Sequence, residues 1–201
     1  MRAAKVITES SFDRLMAEAR ACTVCAAHLP LGPRPVLRGF ATARLLIISQ
    51  APGTKVHETG LSFNDRSGDR LREWLDVSRK TFYDESRVAI APMGFCYPGR
   101  DANGGDLPPR PECAPTWLPP LLERLPHLEL ILLVGSYAIY DFLKGSTKPT
   151  MTATVKAWRD YLPRYLPLPH PSWRNTGWLK RNPWVASELL PELRKRVRKL
   201  I

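Results

Sequence analysis

Long apolar runs are the first thing this chain lacks: across 201 residues, none approaches the ~20 needed to cross a bilayer as a helix. The amino-terminal stretch MRAAKVITESSFDR also lacks the apolar core of a secretory leader, so a soluble, cytoplasmic protein is expected. Cysteine is scarce, at four residues, and in a reducing compartment four thiols suit metal ligation or plain burial better than disulfides. Acidic side chains run short as well, 19 Asp and Glu against 30 Lys and Arg, for a formal charge of +11. That imbalance points to a polyanionic partner such as nucleic acid; the plainer reading is that the surplus cations only solvate the surface. Six Trp and six Tyr serve either stacking or core filling. The length suits one domain spanning 1–201, expected as a monomer, with no internal repeat and no low-complexity tract beyond proline-rich loops.

What is present reads as strands alternating with helices. Phe12, Leu15, Met16 and Ala19 recur at helical spacing and place a helix ahead of Cys22. Arg44–Ser49 is a buried strand stopped by Pro52-Gly53, and Ser67 is a suitable cap for a helix over Gly68–Asp76 whose apolar face is Leu71, Trp74 and Leu75. Arg87–Met93 and Leu128–Val134 are further strands. Residues 97–111 between them form a loop rich in Pro and Gly, long enough to suspect of function. Helices over Ser136–Phe142 and Met151–Tyr161 follow, then a strand at Tyr165–Leu168 that Pro167 pushes to a sheet edge, then a helix over Trp184–Leu200. The pattern predicts an α/β three-layer sandwich around a central four-stranded parallel sheet.

Two loops follow apolar runs: Gln50-Ala51-Pro52-Gly53 and, far downstream, His170-Pro171-Ser172. Loops at the carboxyl ends of parallel strands converge on one crevice, so both can contribute to one site. The cysteines fall as a C-x-x-C pair, Cys22 and Cys25, and a distant pair, Cys96 and Cys113. Four thiols can complete the shell of zinc or of an iron–sulfur cluster, and free buried thiols remain the third reading.

The run LLIISQAPGTKVHETGLSFNDRSGDRLREWL resembles the uracil-DNA glycosylase superfamily, in particular its iron–sulfur, family 4-like bacterial and archaeal branch. There an apolar strand runs into G-E-A-P-G and then G-x-P-F; here Ser49-Gln50-Ala51-Pro52-Gly53 and Gly60-Leu61-Ser62-Phe63 stand in register. The cysteines and the His-Pro-Ser loop follow in the family's order. The resemblance implies a 4Fe-4S cluster held by Cys22, Cys25, Cys96 and Cys113, with zinc as the alternative, and DNA as the partner. Phe63 is implied to stack on an extruded base, His170 to donate a hydrogen bond to its carbonyl, and Gln50 with the backbone of Ala51 and Gly53 to floor the pocket. Trp173 and Arg174, beside Ser172, are implied to fill the gap in the duplex and to meet phosphate, with Lys180 adding a phosphate contact.

The sequence departs from that pattern where acids and an amide are expected. Gln50, Val56 and His57 occupy the acidic positions, so His57 or Glu58 is the expected base. Pro92 stands where the family's uracil-reading Asn lies, so the backbone of Met93 and Gly94, or the Asn64 amide, is expected to substitute. The expected function is a DNA glycosylase acting on uracil or a related deaminated base. A non-catalytic nucleic-acid binder on the same fold and a zinc-stabilised α/β protein for a small anion are the alternatives.

Overall fold

The computed structural model describes residues 9–201; the first eight residues of the stretch read above for a leader lie outside them. The order is α1 (Glu9–Arg20), β1 (Leu45–Ile48), α2 (Thr54–Thr59), α3 (Arg66–Leu75), α4 (Arg79–Phe82), β2 (Val88–Ile90), α5 (Cys113–Glu123), β3 (Leu130–Val134), α6 (Ser136–Phe142), α7 (Met151–Lys156), β4 (Tyr165–Leu168), α8 (Thr176–Arg181) and α9 (Leu190–Leu200), with short 3-10 turns between. The four strands form one all-parallel sheet in the order β2-β1-β3-β4, flanked by helices in an α/β three-layer arrangement.

β1 and β3 are buried at every position, as strands covered on both faces must be, and their contiguous Leu and Ile supply that burial. Register pairs Leu46 with Ala89 on one side and with Ile131 on the other; Leu132 in turn pairs with Leu166. β4 lies at an edge, where Pro167 removes no interior ladder bond. β2 holds the other edge, which the loop residue Arg38 partly covers by exchanging two backbone hydrogen bonds with Ile90, at 2.9 and 2.8 Å. The chain leaves β1 towards β2 and leaves β3 towards β4. The two exits diverge, and such a reversal opens a crevice at the carboxyl ends of β1 and β3.

Several local expectations need correction. Asp65, not Ser67, caps α3: its side chain accepts the Gly68 N–H at 2.9 Å, and the helix starts two residues earlier than expected. The apolar face is as read, with Leu71, Trp74 and Leu75 buried, but Arg72 is buried beside them. The helix expected over Met151–Tyr161 breaks at Ala157 into α7 and a 3-10 turn over Trp158–Tyr161. The carboxyl-terminal helix opens with a π-helical turn over Val185–Leu189, next to Pro191, which has no N–H for the usual bond. Four helices were not anticipated: α2, six residues closed by left-handed Gly60; the short α4 and α8; and α5, which carries Pro115, Pro119 and Pro120.

Candidate active site

The turn after β1 carries Gln50 to Gly53 to the crevice, and α2 then begins with Gly53 as its cap. Its backbone is knitted to the segment after β2: Met93 N–H donates to the Ser49 carbonyl at 2.8 Å and Gly94 N–H to the Gln50 carbonyl at 3.0 Å. Beyond α2 the chain turns through Phe63, which adopts the left-handed conformation at φ 54°, uncommon for a bulky side chain. Three contacts hold it there. Its carbonyl accepts from Arg72 Nη1 at 3.3 Å and from the Tyr83 hydroxyl at 3.2 Å, and its ring meets Phe82 edge-on at 6.1 Å. Gly68 makes the approach possible, because a Cβ there would stand 1.7 Å from the Phe63 carbonyl oxygen.

The opposite wall comes from β3 and β4. Gly135 follows β3 at φ 89°, a conformation that favours glycine, and packs beside His170, whose side chain a Cβ there would meet at the ordinary contact distance of 3.4 Å. The Ser172 N–H donates to His170 Nδ1 at 3.2 Å. In the neutral ring the single proton therefore sits on Nε2. Burial lowers the pKa of His170 from the ordinary histidine value, while the charges of Asp65 and Asp106 pull it partly back. The loop is fastened from outside: Asn175 Nδ2 donates to the His170 carbonyl at 2.7 Å, and Arg70 of α3 donates to the Ser172 carbonyl at 3.0 Å and to Thr176 Oγ1 at 3.3 Å.

Phe63 and His170, more than a hundred residues apart, line one open cavity of about 680 Å³. Gln50, Ala51, Gly53, Ser172, Trp173 and Arg174 share it. Trp173 is 72% exposed, and Arg174 reaches across to the Gly104 carbonyl at 3.4 Å. Phe63 also belongs to the hydrophobic core and is only 9% exposed, so it is wall and core at once.

Other expected residues lie outside that lining. Glu58 is exposed, and its carbonyl is taken by Arg34 at 3.0 Å. His57 lies on α2 with its ring 6.0 Å from that of Tyr97. The Asn64 amide oxygen accepts from Arg79 at 2.9 Å, and Lys180 sits on α8. Met93 and Gly94 have their N–H groups engaged with β1, and Gly94 faces the cysteine cavity instead.

The cavity also holds groups that sequence reasoning missed. Asp65 lines it, two residues past Phe63, with Arg66 beside it. Arg100, Gly104 and Asp106 enter from a hairpin within residues 97–111, closed by Asp101, whose Oδ1 accepts the N–H groups of Asn103 at 2.8 Å and Gly105 at 2.9 Å. The length of that loop was the one available signal. Lys55, Arg66, Arg100 and Arg174 against Asp65 and Asp106 make the lining cationic on balance.

The four cysteines gather round a second, small cavity of about 20 Å³. They approach it from the segment after α1, the segment after β2 and the start of α5. Cys113 Sγ accepts the Phe95 N–H at 3.2 Å, and burial pushes its thiol up to about 12; burial raises Cys96 and Cys25 as well. The donor chemistry suits a thiophilic metal group. Among the described residues, however, no three His, Cys, Asp or Glu side chains are arranged to share one ion.

No helix among the described residues is long and apolar enough to cross a membrane. The profile of the Uracil DNA glycosylase superfamily matches residues 38–194, a span that takes in all four strands and both walls of the large cavity but begins after Cys22 and Cys25. The chain belongs to the Uracil DNA glycosylase superfamily.

Proposed function

We propose that this chain is a DNA glycosylase that hydrolyses the N-glycosidic bond of uracil or a related deaminated base flipped out of DNA. One observation carries the reading: an aromatic ring and a half-buried histidine, its Nδ1 accepting a backbone N–H so that the neutral ring presents Nε2–H, wall the same open, cationic cavity.

The chemistry asks for such a pair. As the glycosidic bond breaks, its electrons move onto the base and positive charge grows on the sugar. A base stacked against Phe63 turns its carbonyl towards His170, whose Nε2–H strengthens its hydrogen bond as that oxygen becomes negative. A neutral donor suits a developing anion because its N–H is fixed before the reaction and needs no proton from solvent. Gln50 with the Ala51–Gly53 backbone floors the pocket, and exposed Trp173 enters the space left in the duplex while Arg174 meets phosphate. The test incubates the protein with oligonucleotides carrying uracil, hypoxanthine or xanthine. Abasic product from at least one, lost in His170→Ala, is expected; no product from any of them overturns the reading and leaves a nucleic-acid binder.

We further propose that Cys22, Cys25, Cys96 and Cys113 hold a 4Fe-4S cluster, the family 4-like arrangement, with zinc as the competing occupant. Their convergence on one cavity and the N–H bond to Cys113 Sγ support it. Such a cluster would fasten the segment after α1 to the segments around α5, a structural service rather than a step of the reaction. Absorbance near 400 nm with iron in the purified protein is expected, and stoichiometric zinc without that absorbance refutes the cluster. The working partner is DNA, and the working form is a cytoplasmic monomer.

A further inference from the structure

We propose that Ser49 and Ser62 set the base specificity of this cavity, their hydroxyls reading the edge of the flipped base that carries a carbonyl next to a ring N–H. The proposal rests on the glycosylase reading above and names the class of base the site takes. Deamination turns an amino group into a carbonyl and leaves a hydrogen on the neighbouring ring nitrogen. Uracil, hypoxanthine and xanthine therefore all present this acceptor–donor pair.

The groups expected to read that edge are engaged or lie elsewhere. Pro92 lines the cavity but has no N–H and no polar side chain. The N–H groups of Met93 and Gly94 are bonded to the carbonyls of Ser49 and Gln50. Asn64 lies outside the lining, with its amide oxygen on Arg79. Val36 and Ile90, which line the cavity with Pro92, are apolar.

Burial singles out the two serines. Four polar or charged side chains are buried among the described residues: Ser49, Ser62, Arg72 and Thr154. Arg72 is paired with Asp69 and bonded to the Phe63 carbonyl, and the Thr154 hydroxyl donates to the Thr150 carbonyl at 3.0 Å. Neither serine hydroxyl has a hydrogen-bond partner among the described residues, yet both serines line the large cavity, at 7% and 5% exposed. Buried polar groups are almost always hydrogen-bonded, so two such hydroxyls opening on one cavity have a ligand as their remaining partner. Their backbones are fixed: the Ser49 carbonyl accepts from Met93 at 2.8 Å where β1 ends, and the Ser62 carbonyl accepts the Tyr83 hydroxyl at 2.8 Å. Ser62 directly precedes Phe63, the stacking wall, while His170 answers from the loop after β4, two strands away from β1.

A hydroxyl carries one donor and two acceptor sites and turns about its C–O bond, whereas an amide presents donor and acceptor in fixed places. One serine donates to the carbonyl and the other accepts the ring N–H, in either assignment, so the pair reads the shared edge on a one-ring or a two-ring base. The intact amino bases are held back at an earlier step, because a mispaired base leaves the stack at least cost. The site thus takes a class of deaminated bases rather than uracil alone.

The test is single-turnover cleavage by Ser49→Ala, Ser62→Ala and the double variant. The oligonucleotides carry uracil, hypoxanthine or pyrimidin-2-one, which lacks both the second carbonyl and the ring N–H. Wild type is expected to release uracil and hypoxanthine. Each single substitution should slow both by about tenfold, and the double variant by about 10²-fold. The preference for uracil over pyrimidin-2-one should shrink by the same factor in the double variant, because the contacts removed are ones that pyrimidin-2-one never makes. Thermal midpoints should not fall, since no bond within the protein is lost, and affinity for a duplex with a tetrahydrofuran abasic site should be unchanged. An active wild type whose double variant releases uracil within threefold of it overturns the assignment alone. So does an undiminished preference over pyrimidin-2-one, a midpoint lowered in step with the rate, or a wild type that releases uracil but no hypoxanthine. A wild-type protein that releases none of the bases overturns the glycosylase reading, and the assignment with it.

Discussion

The variant Gly68→Ala tests the architecture of the cavity at its tightest point. Alanine is the better helix former by about 1 kcal/mol, so an unobstructed site would gain stability. Here the new Cβ would stand 1.7 Å from the Phe63 carbonyl oxygen, 2.6 Å from its carbon and 2.8 Å from the Phe63 Cβ, whereas contacts below 3.0 Å essentially never occur. Backbone must therefore move by more than an ångström. If α3 retreats, the Asp65 cap weakens, at about 1 kcal/mol. If Phe63 swings away, its carbonyl loses Arg72 and Tyr83, at about 1 kcal/mol each. Residual crowding adds about 1–3 kcal/mol. Set against the propensity gain, the net loss is about 1–3 kcal/mol by the first route and about 2–4 kcal/mol by the second. For a chain of this size that lowers Tm by roughly 2–16 °C. Calorimetry reads the midpoint and single-turnover cleavage reads the displaced Phe63 wall, with a loss of at least tenfold expected. A variant with wild-type Tm and wild-type rate refutes the claim that the Phe63–Gly68 contact sets the wall.

Three further outcomes follow from the same geometry. Because burial lowers the pKa of His170 below the ordinary histidine value, the ring is a neutral donor at neutral pH, and the rate should be flat from about pH 8.5 to 7.5; a rate that falls as pH rises through 6.5 refutes neutral donation. The same depression stabilises the fold fully above the unfolded value of 6.5 and loses that contribution as pH falls from there towards the lower folded value, which acid titration of Tm detects. Arg174→Ala should weaken DNA binding and reduce the slope of log affinity against log salt by about one, and an unchanged slope removes Arg174 from the phosphate contacts. Arg70→Ala cuts the bonds to Ser172 and Thr176 and should slow cleavage by about 10²-fold with Phe63 undisturbed; a wild-type rate refutes the tether.

The sheet was legible because hydrophobic runs specify buried parallel strands directly. Leu45–Ile48 and Leu130–Val134 offer no polar face and so admit few other placements, and Pro167 marked β4 as an edge. The missed elements are those where local chemistry hides the pattern. Three prolines mask α5, and six residues are too few for α2 to show a period. Asp65 and Ser67 are both competent caps, and only the left-handed turn at Phe63 decides between them, by bringing Asp65 in extended at φ −148° beside the Gly68 N–H. The hairpin that delivers Arg100 and Asp106 is built from the hydrogen bonds of Asp101, which leave no periodic trace. Sequence spacing likewise gave no sign that Met93 and Gly94 spend their N–H groups on the β1 turn.

One helix reconciles the two halves of the site. Residues Arg66 to Leu75 form α3, and nearly every device that fixes the cavity belongs to it or to its cap. Asp65 starts it, Gly68 lets the Phe63 carbonyl lie against it, and Arg72 grips that carbonyl from one turn further on, while Arg70 reaches the opposite way to the His170 loop. Arg72 makes this possible from within the core: its guanidinium is paired with Asp69 at 2.6 Å and lies over the Phe82 ring at 5.3 Å, so a buried cation is satisfied on several sides. Trp74, Leu75 and Leu71 anchor the same helix in the hydrophobic core, and α9 packs on it. The separation of Phe63 from His170 is therefore set by a rigid element rather than by two independent loops. Gly68→Ala and Arg70→Ala disturb opposite ends of that ruler. If α3 sets the spacing, combining them should cost less than the product of their separate losses in rate, because a wall already displaced gains little from a tethered partner.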